Sequence, residues 1–306
     1  MGESFRQILG INFFAGETDE LLRLTDQGGL VVVPSAPVLV DLELDSAHRT
    51  ALEKSDLALT DSGFMVLLWR LFNREHLPRI SGLKYLRALL NHAGFREPGA
   101  TFWIMPSEED ARANLAWLAE QGIEVPVENV YVAPFYPSGA LRDPDLLDTI
   151  EDRQPKYIIT ALGGGVQERL GYYLRQNLSA FAPDDGRPMT EDGIKQLSAI
   201  SPPSTAPGRP AIICTGAAIA FLSGGQTNIP PWADRLMLGW FLRILSSPTR
   251  YFPRYWKALH LVPLLWRHGS ESCAQAAVRS LAPAKDLSEL AVEAEAVEIE
   301  ADSATP

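Results

Sequence analysis

Short apolar runs alternate with amphipathic stretches along residues 1–227 of the chain. The runs are rich in β-branched and aromatic side chains, as expected for buried strands, and helical spacing follows most of them. The alternation predicts an α/β fold: a Rossmann-like parallel sheet of about six strands with helices on both faces. The six predicted strands are 30–33, 57–60, 101–105, 129–133, 157–162 and 211–215, and segment 8–14 is typical of an edge strand or hairpin.

Capping residues mark several of the intervening helices. Ser107 precedes three acids at 108–110, which is a strong signal for a helix start. The strand 30–33 ends in a loop, Pro34 to Pro37, and the helix predicted after this loop spans residues 40–54. One further helix is predicted to begin at Thr18. The others cover 64–72, 83–92, 108–121, 145–152 and the stretch from the glycines at 163–165 to about 178.

Three segments depart from this rhythm. Residues 182–210 are rich in Pro, Ser, Asp and Gly, and they are too long for an ordinary connection, so a flap or flexible insertion is predicted. From residue 228 the strands stop, and the chain becomes helical, aromatic and basic. We therefore predict a Rossmann-like domain at 1–227, a helical appendage at 228–285 and an acidic, disordered tail at 286–306.

The appendage contains a helix with one aromatic face and one basic face. This pattern suits the surface of an anionic membrane. It equally suits a helix packed on the α/β core with its charges in water. A third interpretation is that some of the arginines bind a pyrophosphate. The aromatic face carries Phe252, Tyr255, Trp256 and Leu259, and the basic face carries Arg250, Arg254 and Lys257.

Composition narrows the possible partners and compartment. The 306 residues include 46% hydrophobic residues, which is enough for a full core, and the net charge of -11 argues against nucleic acid as the main partner. Cys214 and Cys273 lack metal-ligand spacing, so free thiols in a reducing compartment are expected. The N-terminal segment does not resemble a signal peptide, and no apolar run approaches a bilayer span, so we expect a cytoplasmic protein. Membrane attachment and a homo-oligomer both stay open.

Asp61 is the first candidate for chemistry. It ends the apolar run 57–60, and Ser62 and Gly63 then lead into a helix. Ligands of parallel α/β sheets bind outside the carboxyl ends of the strands, so an acid placed there can meet a substrate. The alternative is that Asp61 only caps the following helix, since Asp is an ordinary cap residue.

A glycine-rich turn, Gly163-Gly164-Gly165, is the second candidate. Lying between a strand and a helix, it could cradle a phosphate on backbone N–H groups, or it could simply be a tight turn. Gln167 and Glu168 follow in the first helical turn, from where they could reach over the sheet edge. The dinucleotide-binding spacing fails, because its third glycine falls on Glu168. A nicotinamide-dependent oxidoreductase therefore has only fold analogy in its favour.

Other motifs carry less chemistry. Asp143-Pro144-Asp145 has the form of a metal site in sugar-nucleotide enzymes, but proline beside a helix start is typical of capping sequence. The five histidines show no pairing spacing, and the chain lacks the patterns of nucleophilic hydrolases. We predict neither a metal nor a cofactor.

Four blocks occur in a fixed order along the chain: 58–63 (ALTDSG), 78–82 (PRISG), 163–168 (GGGVQE) and a long end block, 216–255. In this order and at this spacing they resemble the WecG/TagA/CpsF glycosyltransferases, glycosyltransferase family 26. The resemblance covers about residues 8–268. It implies a Rossmann-like catalytic domain that performs an inverting, metal-independent transfer in polysaccharide assembly. The implied donor is a UDP-sugar of the N-acetylmannosamine, N-acetylmannosaminuronic acid or glucuronic acid type, and the implied acceptor is a polyprenyl-diphosphate-linked sugar at the cytoplasmic membrane face.

The resemblance also assigns roles to residues. It makes Asp61 the general base and assigns the arginines of the appendage to the donor diphosphate. One base for the acceptor hydroxyl and positive charge for the departing diphosphate are what such a transfer needs. The implied substrate-binding residues are Ser35, Arg79, Gly82, Gly163, Gly164, Gln167, Glu168, Arg243, Arg250 and Arg254.

Several positions depart from the family pattern. The family's T-x-N at the end of the first pocket strand is Val33 and Ser35 here, and valine cannot hydrogen-bond a sugar hydroxyl. Val166 and Asn228 stand where the family has Lys and Arg, so two positive charges are lost. These departures motivate the alternative that the chain is a non-catalytic binding or scaffold subunit of a polysaccharide-synthesis complex.

Overall fold

The sheet of the protein has eight strands. The computed structural model describes residues 4–139, 141–181, 209–224 and 256–274. The strands run in the spatial order β1-β2-β4-β3-β8-β7-β5-β6, and every pair is parallel except β1 with β2. Their bounds are β1 Phe5–Ile8, β2 Ile11–Phe14, β3 Gly29–Val32, β4 Leu57–Leu59, β5 Thr101–Met105, β6 Val130–Val132, β7 Tyr157–Thr160 and β8 Ala211–Cys214.

The predicted α/β class is confirmed, but the strand count of about six is wrong. The segment predicted as an edge strand or hairpin is a hairpin, and its second strand pairs with β4. Leu9 and Gly10 form the turn with φ of 54° and 80°, a pair of positive values that matches the twist of a two-residue hairpin. Glycine adopts a positive φ without strain. Leucine rarely does, so the sequence does not indicate this turn.

Helices connect the strands. The α-helices are α1 Thr18–Thr25, α2 Ala36–Leu39, α3 Ser46–Glu53, α4 Gly63–Asn73, α5 Gly82–Asn91, α6 Glu108–Glu120, α7 Pro144–Arg153, α8 Val166–Asn177, α9 Ala218–Leu222 and α10 Leu261–His268. Short 3-10 turns cover Val40–Glu43, Ala93–Arg96, Val127–Asn129 and Ser179–Phe181. Ser107 caps α6 as predicted, since its hydroxyl accepts a hydrogen bond from the backbone N–H of Asp110 at 3.1 Å.

The single helix predicted at 40–54 is wrong. The chain instead forms α2, then the 3-10 turn Val40–Glu43, then α3. Asp45 makes the break, because its backbone is extended and its carboxylate accepts a hydrogen bond from the N–H of His48 at 2.9 Å. A new helix begins after this cap, although the apolar spacing of the sequence runs on across the break.

Both faces of the sheet are covered, which explains the continuous apolar strands. In β3, Val32 faces one core together with α3, α4, α7, α8 and α10, while Val31 faces the other together with α1, α5, α6 and α9. The same alternation holds in β8, where Cys214 and Ile213 face opposite cores.

The carboxyl ends of four neighbouring strands, β4, β3, β8 and β7, form one edge of this arrangement. With strands about 4.8 Å apart, the ends of β4 and β7 lie roughly 14 Å from each other. Candidate site residues follow three of these strands, namely Asp61 after β4, Ser35 after β3 and the turn at 163–168 after β7, so the fold gathers them along this edge. The bulk of the predicted insertion 182–210, residues 228–255 of the appendage and the tail 286–306 lie outside the described residues.

Candidate active site

Asp61 lies two residues beyond the end of β4 and is partly exposed. Its Oδ1 accepts a hydrogen bond from the backbone N–H of Gly82, the first residue of α5, at 2.9 Å. Its own backbone carbonyl accepts a hydrogen bond from Nε of Arg79 at 2.9 Å. The N-terminus of α5 and Arg79 therefore both place positive charge next to this acid.

Thr60 fastens the same two segments together from inside the core. Its fully buried hydroxyl donates to the carbonyl of Pro78 at 2.6 Å and accepts from the N–H of Ile80 at 3.0 Å. The blocks 58–63 and 78–82, which the sequence singles out separately, are thus in direct contact. Thr60 and Asp61 both hydrogen-bond to the segment 78–82, and these bonds fix the position of the Asp61 carboxylate.

The alternative that Asp61 caps α4 is wrong. Ser62 is the cap of α4, since its hydroxyl accepts from the N–H of Met65 at 3.1 Å. Ser81 in turn caps α5, by accepting from the N–H of Lys84 at 3.2 Å. With a serine at each helix start, the carboxylate of Asp61 lies between the two helices and binds the first N–H of α5.

Gly82 is required by close packing. A Cβ atom at this position would lie 2.8 Å from Cγ1 of Val33 and 3.9 Å from Oδ1 of Asp61. Val33 is β-branched and stiff, so it cannot easily move aside. The glycine therefore lets α5 approach the end of β3 and keeps Val33 and Asp61 in one small region.

Ser35 lies beside this region at the start of α2. Because β3 pairs with β4 in a register that joins Val32 to Ala58, Ser35 and Asp61 each follow the paired position by three residues. Ser35 is partly exposed, and its hydroxyl makes no capping hydrogen bond to α2. It can therefore offer a hydroxyl at the level where Asp61 leaves the sheet.

The turn between β7 and α8 is tight. Gly165 has φ of 89°, and its N–H donates to Oε2 of Glu168 at 2.6 Å. A Cβ on Gly164 would lie 2.6 Å from Cγ2 of Val38, whereas one on Gly163 would meet no atom within 4 Å. The buried carboxylate of Glu168 thus occupies an N–H group at the start of α8, which favours the tight-turn interpretation over a phosphate cradle at Gly165.

Gln167 joins this turn to the next strand end. It is 3% exposed, its Oε1 accepts from the N–H of Gly216 at 2.7 Å, and its Nε2 donates to Oε1 of Glu168 at 3.0 Å. From the first turn of α8 these two side chains could reach over the sheet edge, and in the structure they hydrogen-bond to backbone N–H groups and to each other. Their effect on a ligand would come through the shape of the turns after β7 and β8, and direct donor binding by them stays a prediction.

The sequence gives no signal for Thr215, which follows β8 directly. The residue is 6% exposed, and its hydroxyl has no hydrogen-bond partner among the described residues. The neighbouring Cys214 donates its thiol to the carbonyl of Gln167 at 3.3 Å, and burial raises the pKa of this thiol far above its usual range. Both cysteines are free, as expected from their spacing, and both are buried.

The interpretation of Asp143-Pro144-Asp145 as a capping sequence is confirmed. Asp143 caps α7 by accepting from the N–H of Leu146 at 3.0 Å, and Pro144 lies in the first turn. Its buried carboxylate also accepts hydrogen bonds from the phenols of Tyr131 and Tyr136. Burial, and then the bond to Asp143, raises the pKa of Tyr131 to about 12.

Three predicted site residues, Arg243, Arg250 and Arg254, lie outside the described residues. Within the described ranges, no group of three or more His, Cys, Asp or Glu side chains is arranged to hold a metal ion. No helix in those same ranges is both long and apolar enough to cross a bilayer.

Comparison with known families agrees with the motifs. The profile described as "Glycosyl transferase WecG/TagA/CpsF family" matches residues 6–183 and 199–275, which is most of the chain. Both segments of the Asp61 site and both turns around Gln167 lie inside the match. The gap between the two matched segments, residues 184–198, falls within the predicted insertion. No curated protein matches the chain significantly.

Proposed function

Because the chain belongs to the WecG/TagA/CpsF glycosyltransferase family, we propose that it transfers a sugar from a UDP-linked donor to a lipid-linked acceptor. Family membership gives it a glycosyltransferase role in cell-surface glycan synthesis. The proposed donor is of the N-acetylmannosamine, N-acetylmannosaminuronic acid or glucuronic acid type. The proposed acceptor is a polyprenyl-diphosphate-linked sugar, which the enzyme meets at the cytoplasmic face of the membrane in exopolysaccharide synthesis.

The observation that carries this proposal is the position of Asp61. Its carboxylate lies at the carboxyl edge of the sheet, where α/β enzymes bind ligands, and the N–H of Gly82 fixes one oxygen. In an inverting transfer, the acceptor hydroxyl oxygen attacks the anomeric carbon while the bond to the UDP oxygen breaks. Asp61 takes the hydroxyl proton, and UDP leaves with the electron pair of the broken bond.

The departing diphosphate needs positive charge. We assign part of it to Arg79, whose Nε is bound to the carbonyl of Asp61 at 2.9 Å and so lies next to the base. The appendage supplies the rest through Arg243, Arg250 and Arg254. Arginine suits this task because its planar donors match phosphate oxygens, and no metal is then required.

Donor selection depends on the walls around Asp61. Val33 gives an apolar surface against Gly82, while the partly exposed Ser35 can hydrogen-bond a sugar hydroxyl. The opposite end of the edge is formed by the open Gly163 and by the turn that Gln167 fastens to Gly216. An extended nucleotide-sugar would lie along this edge with its sugar near Asp61.

A second candidate function is a non-catalytic binding or scaffold subunit. Two observations favour it: Val33 lacks the hydroxyl of the family pattern, and the amide of Gln167 is already bound to Gly216 and Glu168. Such a subunit would keep the fold and its partner-binding surfaces without turning over a donor.

A donor panel separates the two candidates. UDP-sugars are incubated with the full-length protein, with and without a lipid-linked acceptor, and products are identified by mass spectrometry. Calorimetry with the same donors measures binding separately. Release of UDP from one donor supports the enzyme. Failure of every donor to bind, together with retained binding to a partner enzyme, would favour the scaffold.

A further inference from the structure

Exposed apolar side chains concentrate on α4 and on the segment 256–268, which contact each other. Among the described residues, eight large hydrophobic side chains are exposed, and five of them lie on α4 or in the segment 256–268 that contains α10. Surface hydrophobics that occur singly need no explanation, whereas a cluster indicates a binding face. The five are Leu67, Leu71, Trp256, Leu259 and Trp266, with exposures of 56%, 68%, 61%, 48% and 73%.

The two helices form one continuous surface. The rings of Phe72 in α4 and Trp266 in α10 meet edge to face, with centroids 5.5 Å apart. Buried residues of both helices enter the same core. We call the exposed part the α4–α10 surface, defined by Leu67, Arg70, Leu71, Arg74, Leu259, Trp266 and Arg267.

The charge of this surface is opposite to that of the chain. Arg70 and Arg74 are exposed, and together with Leu67 and Leu71 they have the spacing i, i+3, i+4, i+7 of a single helical face. Residues 63–74 and 256–268 contain four Lys or Arg and no Asp or Glu, whereas the whole chain has a net charge of -11. Acids of neighbouring elements reach the second segment, since Asp41 pairs with Lys257 and Glu43 pairs with His268. The surface itself carries Arg70, Arg74 and Arg267 beside exposed leucine and tryptophan, which suits the headgroup region of an anionic bilayer.

We propose that the α4–α10 surface docks the protein on anionic lipid. The inference rests on the proposed function in one respect, that a lipid-linked acceptor brings the active site to a bilayer. The geometry agrees, because α4 begins two residues after Asp61 and Leu67 lies only about 6 Å along the helix from Gly63. A bilayer held by this face would present its lipid-linked sugars beside the base.

A second copy of the chain is a less suitable occupant. In a symmetric dimer the same patch is used by both partners, so Arg70, Arg74 and Arg267 of one copy would lie close to the same arginines of the other. The negative headgroups of a bilayer complement all of these charges, and exposed tryptophan is typical of the membrane interface.

Vesicle sedimentation of the full-length protein tests the proposal. The vesicles are phosphatidylcholine with or without phosphatidylglycerol. We expect wild-type protein to bind only the anionic vesicles and to dissociate with salt. The double substitution Leu67→Asn/Leu71→Asn should weaken binding about tenfold or more, since less apolar area enters the bilayer. Arg70→Gln/Arg74→Gln should weaken it roughly fivefold for each charge removed.

The chain offers a matched control. Val127 and Phe135 are also strongly exposed, at 82% and 92%, but lie outside the two helices. Val127→Asn/Phe135→Asn should leave vesicle binding unchanged. Thermal unfolding checks that each variant is folded, and the charge variant tests the surface independently of the leucine variant.

Other outcomes would overturn the assignment. Vesicle binding by the leucine and arginine variants equal to that of the wild type would do so, as would a wild-type protein that ignores anionic vesicles. A dimer that dissociates on Leu67→Asn/Leu71→Asn, without vesicle binding, would give the surface to a second copy. Donor binding by the wild-type protein is measured in parallel. Vesicle binding without donor binding would contradict the proposed function alone, and the reverse would contradict only the membrane surface.

Discussion

Oδ1 of Asp61 accepts a hydrogen bond from the backbone N–H of Gly82 at 2.9 Å, which joins the end of β4 to the start of α5 across 21 residues of sequence. This contact fixes the orientation of the proposed base and ties its position to a glycine that cannot carry a side chain without a clash. A side chain at position 82 should therefore disturb the proposed base.

Replacing Gly82 with alanine should impair both folding and transfer. The new Cβ would lie 2.8 Å from Cγ1 of Val33, so α5 or β3 must shift and the bond to Asp61 must change. Overpacking of this kind costs about 1–3 kcal/mol of unfolding free energy. Transfer should fall by about tenfold or more, because small displacements of a catalytic group are costly. Urea unfolding and UDP release measure the two effects.

Gly163→Ala is the matched control for stability, since a Cβ there meets no atom within 4 Å. It should unfold at nearly the same urea concentration as the wild type. If Gly82→Ala had the stability and the transfer rate of the wild type, the bond between Asp61 and Gly82 would contribute to neither folding nor activity.

Truncation of Gln167 should loosen the turns after β7 and β8 together. Gln167→Ala leaves the partly buried N–H of Gly216 and one oxygen of the fully buried Glu168 without their present partner. An unsatisfied buried group costs about 1–3 kcal/mol. Denaturant unfolding measures the loss, and the exposed Gln176→Ala should change stability by less than about 0.5 kcal/mol. A similar value for both variants would contradict the role given to Gln167.

Thr215→Val should keep or raise stability. The substitution removes a buried hydroxyl without a partner among the described residues and keeps the shape of the side chain. The gain should be up to about 1 kcal/mol, because the desolvation cost of that hydroxyl disappears. Thr25→Val is the contrast, since the hydroxyl of Thr25 contacts the carbonyl of Leu21 at 2.8 Å and the phenol of Tyr85 at 2.7 Å. Thermal unfolding should place Thr215→Val at or above the wild type and Thr25→Val below it, and a clear loss in Thr215→Val would show that its hydroxyl is bound.

Stability should fall above pH 10, in part through Tyr131. Its pKa is raised from 10 to about 12 by burial and by the bond to Asp143, so the native state keeps a proton that the unfolded chain releases. The stabilising contribution is therefore complete below pH 10 and is lost as the pH rises towards 12. Tyr131→Phe should reduce the slope of unfolding free energy against pH between these values. An unchanged slope would show that Tyr131 does not titrate in this window.

The sequence was sufficient for the layers of the fold. Six apolar runs became parallel strands because burial on both faces demands continuous apolar residues, and that demand is visible in the sequence. The hairpin was uncertain, because its turn uses Leu9 in a conformation that leucine rarely adopts. The break in the predicted helix at 40–54 was missed because the cap Asp45 interrupts the backbone without interrupting the apolar spacing.

The candidate site could be predicted only as separate pieces. Asp61 and the 78–82 block were each recognisable from residue type and order, but the bond between Asp61 and Gly82 depends on how α5 packs. Gln167 shows the limit most clearly. Residue type and position suggested a ligand-facing amide, whereas the amide is bound to Gly216, which lies 49 residues later in the chain.

Asp61 is the proposed general base, and transfer by Asp61→Asn tests that role most directly. Asparagine keeps an oxygen that can accept from the N–H of Gly82, so the fold and donor binding should persist, but an amide cannot take the acceptor proton. UDP release from the donor that the wild-type protein uses should fall by roughly 10² to 10⁴-fold, with the donor Kd unchanged by calorimetry. Turnover equal to that of the wild type would contradict the assignment of Asp61 as the base.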